Sequence, residues 1–215
     1  MLKVLIFDMD GTIVNTDNVL RHTRYDVFEH FYGDPHYVSD DTIRAFSGPS
    51  LKDTINKYFA QFNYDEVRSF YYSVTGQYYD KYACLFKDEK EVLQKLHDDG
   101  YTLAVFTNKN RDRTFYCLDR LGLRKFFSYV VTSDDIKNTK PNREGIDKIL
   151  EYYKIHNNEA ILIGDTIYDY FASLNGEIKC MLLKVAKREF PNDIYPVNIF
   201  ESYLDLYRGI KEYVD

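Results

Sequence analysis

The chain has 215 residues, enough for one large domain or for one domain carrying a smaller insertion. Apolar residues make up 45% and charged residues 29%, the balance of an ordinary soluble globular protein. The net charge of −6 argues against a nucleic-acid partner, because proteins that track a phosphate backbone carry a basic surplus.

In chain order, residues 2–7 form a short, nearly continuous apolar run, the pattern of a buried parallel strand. Asp8 and Asp10 follow at once, so the run is too short for a signal peptide or membrane span. A cytoplasmic protein with no membrane partner is therefore expected. Residues 16–82 hold no strand pattern, only helix-period stretches at 19–31, 41–46, 51–62 and 65–82. Strand-like runs resume at 102–106, 128–131, 160–163 and 180–183. Between them, Val92, Leu93 and Leu96 stop at Gly100, while Phe115, Leu118 and Leu121 stop at Gly122. Ile146, Ile149, Leu150 and Tyr153 make a third helical stripe, and residues 199–214 read as a closing amphipathic helix. This alternation predicts an α/β fold: a Rossmann-like parallel sheet with helices on both faces, plus an inserted α-helical cap. The core takes residues 1–15 and 83–215, and the cap takes 16–82.

Cys84, Cys117 and Cys180 are far apart, odd in number and without zinc or disulfide spacing, as in a reducing compartment. The five histidines show no ligand spacing either.

Ligands of open parallel sheets bind beyond the carboxyl ends of the strands. There the first strand runs into Asp8-Met9-Asp10-Gly11-Thr12, the second into Thr107-Asn108-Lys109, and the third into Ser133-Asp134-Asp135. The fourth runs into Gly164-Asp165-Thr166 followed by Asp169, and Lys140-Pro141 opens the helix before it. Asp8 and Asp10 leave an extended backbone on the same side and would repel unless a cation or shared proton intervened. A hard, oxygen-seeking cation such as magnesium suits them, with Asp165 and Asp169 arriving from another strand. An aspartate can also attack phosphorus and form an acyl phosphate, with its neighbour as general acid and base. Thr107, Asn108 and Lys140 would offset the charge on the transferring phosphoryl group, and Gly11 would let backbone amides approach it.

Asp8-Met9-Asp10-Gly11-Thr12, Thr107-Asn108, Lys140-Pro141 and Gly164-Asp165-Thr166-Ile167-Tyr168-Asp169 together resemble the four motifs of the haloacid dehalogenase-like superfamily, in order and spacing, over nearly the whole chain. The resemblance implies a magnesium-dependent phosphatase. Asp8 would be nucleophile and metal ligand; Asp10 would be the acid/base and lend its carbonyl to the metal. Thr107, with backbone groups at Asn108, and Lys140 would hold the phosphoryl group; Asp165 would ligate the metal, and Asp169 would support it directly or through water. Gly48-Pro49-Ser50-Leu51 looks like the cap loop of the phosphoglycolate-phosphatase-like and pyrophosphatase-like members, so Gly48, Pro49 and Ser50 are substrate-specificity candidates. The implied substrate is a small phosphate monoester: phosphoglycolate, a sugar phosphate or a nucleotide. An inorganic pyrophosphatase, a phosphomutase and a catalytically silent binding protein stay open as alternatives, and a monomer is expected. Phe86-Lys87-Asp88-Glu89 departs from the family by standing where many relatives carry Pro-Gly. Lys140-Pro141 is also followed by Asn142-Arg143 instead of a second proline-containing turn. Lys109 is read as facing solvent or substrate. Arg21, Arg24, Arg44 and Lys52 are read as ordinary surface charges with a possible reach to the substrate's far end.

Overall fold

Val4–Phe7 (β1), Thr102–Phe106 (β2), Phe127–Val131 (β3), Ala160–Gly164 (β4), Lys179–Leu183 (β5) and Asn198–Phe200 (β6) form one sheet with all neighbours parallel. The strand order is β3-β2-β1-β4-β5-β6. The structure, a computed structural model, describes residues 2–44 and 46–214; the side chain of Arg44, expected as a cap cation, lies outside the described residues. The helices are Asp17–Tyr32 (α1), Asp40–Arg44 (α2), Leu51–Tyr58 (α3), Tyr64–Tyr82 (α4), Glu89–Asp98 (α5), Arg111–Arg120 (α6), Glu144–Tyr153 (α7), Ile167–Asn175 (α8) and Tyr203–Val214 (α9).

β1 shows why its sequence has no polar alternation. Leu5 and Phe7 bury one face against Val92, Leu93 and Leu96 of α5, Leu118 of α6, and Leu206 and Ile210 of α9. Val4 and Ile6 bury the other face against Ile146 and Ile149 of α7 and Ala172 of α8. A strand covered on both faces must be apolar throughout, and each such side chain contributes roughly 1.5–3 kcal/mol. The expected Rossmann-like core is therefore present. β1 pairs with β2 on one side and β4 on the other, at the point where the chain order of the sheet reverses. That position opens a crevice at the carboxyl ends of the strands.

Helices α1 to α4 pack on their own aromatic cluster, with Val27, Phe28, Phe46, Ile55, Phe59 and Val67 buried. They leave the core after β1 and return through the Asn15–Cys84 bridge, which ties the two crossing segments together. One expectation is corrected at the end of the chain. Residues 198–200 are an edge strand and not the start of the last helix: Lys184 donates to the Phe200 carbonyl at 2.7 Å. A three-residue strand is too short to show a period of its own. No helix among the described residues is long and apolar enough to cross a membrane.

Candidate active site

β1 ends by presenting Asp8 to a cleft of about 810 Å³ between the sheet edge and helices α1, α3 and α4. Asp8 Oδ1 accepts from Lys140 Nζ at 2.5 Å, and the same ammonium reaches Asp169 Oδ1 at 2.6 Å. Lys140 is 3% exposed, so the two carboxylates are what keep it charged: burial opposes its charge, and Asp169 and Asp8 more than offset that. Asp8 Oδ2 makes no hydrogen bond with any described residue. Thr107, from the end of β2, lies in the same cleft and is 2% exposed.

Asp10 is held from two sides. Thr16 Oγ1 donates to its Oδ1 at 2.7 Å, and Lys109 Nζ lies 2.7 and 2.6 Å from its two oxygens. Of the two readings for Lys109, solvent or substrate, the structure corrects the first. Its side chain is only 8% exposed, and it sits 4.9 Å over the Tyr79 ring. Its position right after Thr107-Asn108 places it at the site; only the fold shows which way it turns.

Asp165, at the end of β4, is fully buried, accepting from Thr12 Oγ1 at 2.9 Å and from Arg188 Nε. Arg188 also reaches Asp17 Oδ1, on the first turn of α1, at 3.0 Å. Sequence reasoning missed Arg188, although it follows β5 by a few residues and so falls within reach of the strand-end rule. Gly11 has φ +88°, and a Cβ there would collide with the Asp165 carboxylate and the Arg188 guanidinium. Its amide donates to the Val14 carbonyl at 2.9 Å. The Gly11 amide thus closes the turn, and its missing side chain makes room for Asp165.

Asp8, Asp165 and Asp169 offer oxygens within 4.8 Å of one another, all buried. Burial pushes the Asp8 pKa up to about 8; Lys140 opposes the shift, while Asp169 and Asp165 add to it. Burial likewise raises Asp165 to about 6 against the pull of Arg188. A buried, all-oxygen, electron-rich cluster short of positive charge fits a hard divalent cation. Asp169 stands apart within it. Its Oδ1 takes Lys140, and its Oδ2 takes the Thr166 amide and hydroxyl at 3.0 and 2.6 Å, so both oxygens are engaged.

The Asn108 side chain is engaged by backbone groups on both sides. Nδ2 donates to the Gly48 and Lys140 carbonyls at 2.7 and 3.1 Å, and Oδ1 accepts from the Lys140 amide at 2.8 Å. It clamps the loop before α3 to the lysine segment, which leaves only its backbone for the role expected of it. Gly48, at φ +106°, has no room for a side chain against Tyr168 and Thr166. Gly48, Pro49 and Ser50 all line the cleft, with the Ser50 hydroxyl spent on capping α3 through Asp53. Asp134 and Asp135 serve local structure: they accept from the Arg111 and Thr132 amides at 2.7 and 2.9 Å.

A parallel sheet whose switch point carries two aspartates two residues apart, a buried lysine and a further buried carboxylate pair defines a class of hydrolases. Residues 5–183 match the family profile Haloacid dehalogenase-like hydrolase, and the chain belongs to that family. It is similar to the pyrophosphatase PpaX of Listeria monocytogenes, 32% identical over 176 residues, covering 82% of this chain and 80% of the relative. PpaX of Halalkalibacterium halodurans is 28% identical over 207 residues, or 95% of each chain. Among solved structures, a predicted phosphoglycolate phosphatase from Haemophilus somnus superposes with a TM-score of 0.79 at 22% identity, over 97% of this chain and 98% of that one. A haloacid dehalogenase-like hydrolase from Streptococcus pneumoniae superposes with a TM-score of 0.78 at 21% identity, over 97% and 98%. At those identities the superpositions speak for the fold alone.

Proposed function

We propose that the chain is a magnesium-dependent phosphatase of small phosphorylated molecules that works through an aspartyl-phosphate on Asp8. The observation that carries the reading is the pairing of Asp8 with Lys140 at the end of the central strand, while Asp10 stands two residues on in a separate polar cradle. Two neighbouring carboxylates in different surroundings can take different roles. Asp8 attacks phosphorus, and the bond to the leaving oxygen breaks as Asp10 gives that oxygen a proton. Asp10 then takes a proton from water, which attacks the acyl phosphate, releases phosphate and restores the Asp8 carboxylate. The Thr107 hydroxyl and Lys140 ammonium would hold the peripheral oxygens. Magnesium, generally used by phosphatases of this family, would be held by Asp8, Asp165 and the Asp10 carbonyl; when bound it neutralises phosphoryl charge. With both its oxygens engaged, Asp169 would act by fixing Lys140.

The PpaX relatives are named as pyrophosphatases, so pyrophosphate is the second substrate to be tested, by the same chemistry. The protein is taken to act in the cytoplasm as a monomer. The deciding experiment compares Asp8→Asn with the parent protein for phosphate release and for acid-stable ³²P labelling, with and without chelator. Loss of both signals in the variant, and chelator-sensitive activity restored by magnesium in the parent, are the expected results. Near-native phosphate release by Asp8→Asn removes the nucleophile assignment.

A further inference from the structure

The cleft is basic in an acidic protein: seven basic and four acidic side chains line it, against a net charge of −6 for the chain. Lys140 and Lys109 are committed to carboxylates. Arg24 is not. It projects from α1 and is 8% exposed, which corrects its reading as a surface charge. Among the described residues its one hydrogen bond runs from Nη1 to the Ile43 carbonyl at 2.8 Å, and its guanidinium lies 4.9 Å over the Phe46 ring. The two acids its charge feels, Asp10 and Asp17, are already held by Lys109 and Arg188. A buried guanidinium without an anion is costly, and its planar fork matches carboxylate and phosphate oxygens. Burial pulls its pKa down only to about 10, so it remains charged at neutral pH.

Resting on the phosphatase reading above, we propose that Arg24 receives a second anionic group of the substrate. The chain would then select phosphate esters or anhydrides whose leaving side carries a phosphate or carboxylate. Asp8 and Arg24 line the same cleft, Asp8 following β1 and Arg24 projecting from α1. The reacting phosphoryl group is then held by Lys140 and Thr107, and the far anion meets Arg24. An ester with an uncharged leaving side satisfies Lys140 and Thr107 and leaves the guanidinium unpaired, which works against it as it works for the two-anion substrate.

The test compares Arg24→Met and Arg24→Lys with the parent protein, in magnesium, on three compounds. Pyrophosphate and phosphoglycolate carry a second anion, and p-nitrophenyl phosphate has an uncharged leaving side. The ratio of kcat/KM for the two-anion compounds over the uncharged one is expected to fall at least about 30-fold in Arg24→Met, chiefly through KM, and less in Arg24→Lys. A propping role for Arg24 under Phe46 lowers all three rates together, and an unchanged ratio overturns the proposal. Should Arg24→Met fail to fold, calorimetry on Asp8→Asn decides. Pyrophosphate binding at least tenfold tighter than inorganic phosphate supports the second anion subsite, and equal affinities overturn it. Failure of the phosphatase reading is distinct, because the parent protein then releases no phosphate from any of the three while the binding comparison still stands.

Discussion

Lys109 Nζ holds both carboxylate oxygens of Asp10, at 2.7 and 2.6 Å, and the Tyr79 ring closes its other side at 4.9 Å. Tyr79 belongs to α4 and Lys109 follows β2, so a residue of the helical insertion helps aim a core lysine at the candidate acid/base. Displacing a reacting group by an ångström can cost about 100-fold in rate. Lys109→Met is therefore expected to lower kcat by roughly 10- to 100-fold with a smaller change in KM. Steady-state kinetics check this, and a kcat within twofold of the parent would remove Lys109 from the site.

Gly11→Ala places a methyl group against the Asp165 carboxylate, at a backbone φ of +88° that disfavours any side chain. Magnesium affinity is expected to drop at least about tenfold, because Asp165 must move to make room, and the fold is expected to lose about 1–2 kcal/mol. Calorimetric titration of magnesium reads the first effect and a denaturant midpoint the second. Unchanged magnesium affinity in a destabilised variant would sever Asp165 from the cation site.

Asp88 occupies the left-handed region at φ 59° and its side chain caps nothing. Glycine adopts that conformation at no steric cost, so the departure noted at Phe86-Lys87-Asp88-Glu89 sets a side chain where the backbone favours none. Asp88→Gly is expected to stabilise the protein by about 0.5–1 kcal/mol without altering activity. Urea unfolding tests it, and a destabilised variant would contradict it.

Glu89 is fully buried: Oε2 accepts from the Phe86 amide at 2.8 Å and Oε1 has no partner among the described residues. Burial raises its pKa from 4.5 to about 8, with the Phe86 amide opposing. Below pH 4.5 both folded and unfolded chains hold the proton, and this group leaves stability flat. Between there and pH 8 the unfolded chain ionises while the folded one does not, so stability falls with rising pH, by at most about 1.4 kcal/mol per unit. Glu89→Gln removes that slope. Its melting temperature relative to the parent should therefore rise from pH 5 to pH 8, and parallel pH profiles would contradict the assignment.

Much of this molecule is legible in the sequence because its signals are local. β1 is apolar at every position because both faces are covered, and that marks a parallel sheet before any coordinates are known. Asp8, Asp10, Thr107, Lys140 and Asp165 could be placed at one sheet edge because in a parallel sheet the carboxyl ends of the strands all point one way. β6 escaped, since three residues at an edge carry no period of their own.

What the sequence by itself determined, then, is the first five strands of the sheet, the helical insertion and most of the residues at the candidate site's edge, all consequences of short-range pattern and strand polarity. What only the tertiary structure decided is how each polar side chain is used. Asn108 became a clamp between Gly48 and Lys140, and Gly11 a space for Asp165. Lys109 turned inward to Asp10, and Arg24 was left charged without a carboxylate. Those outcomes depend on partners tens of residues away along the chain. A buried charge or donor takes whichever partner the packing brings within about 3 Å, and no spacing along a single segment encodes that choice.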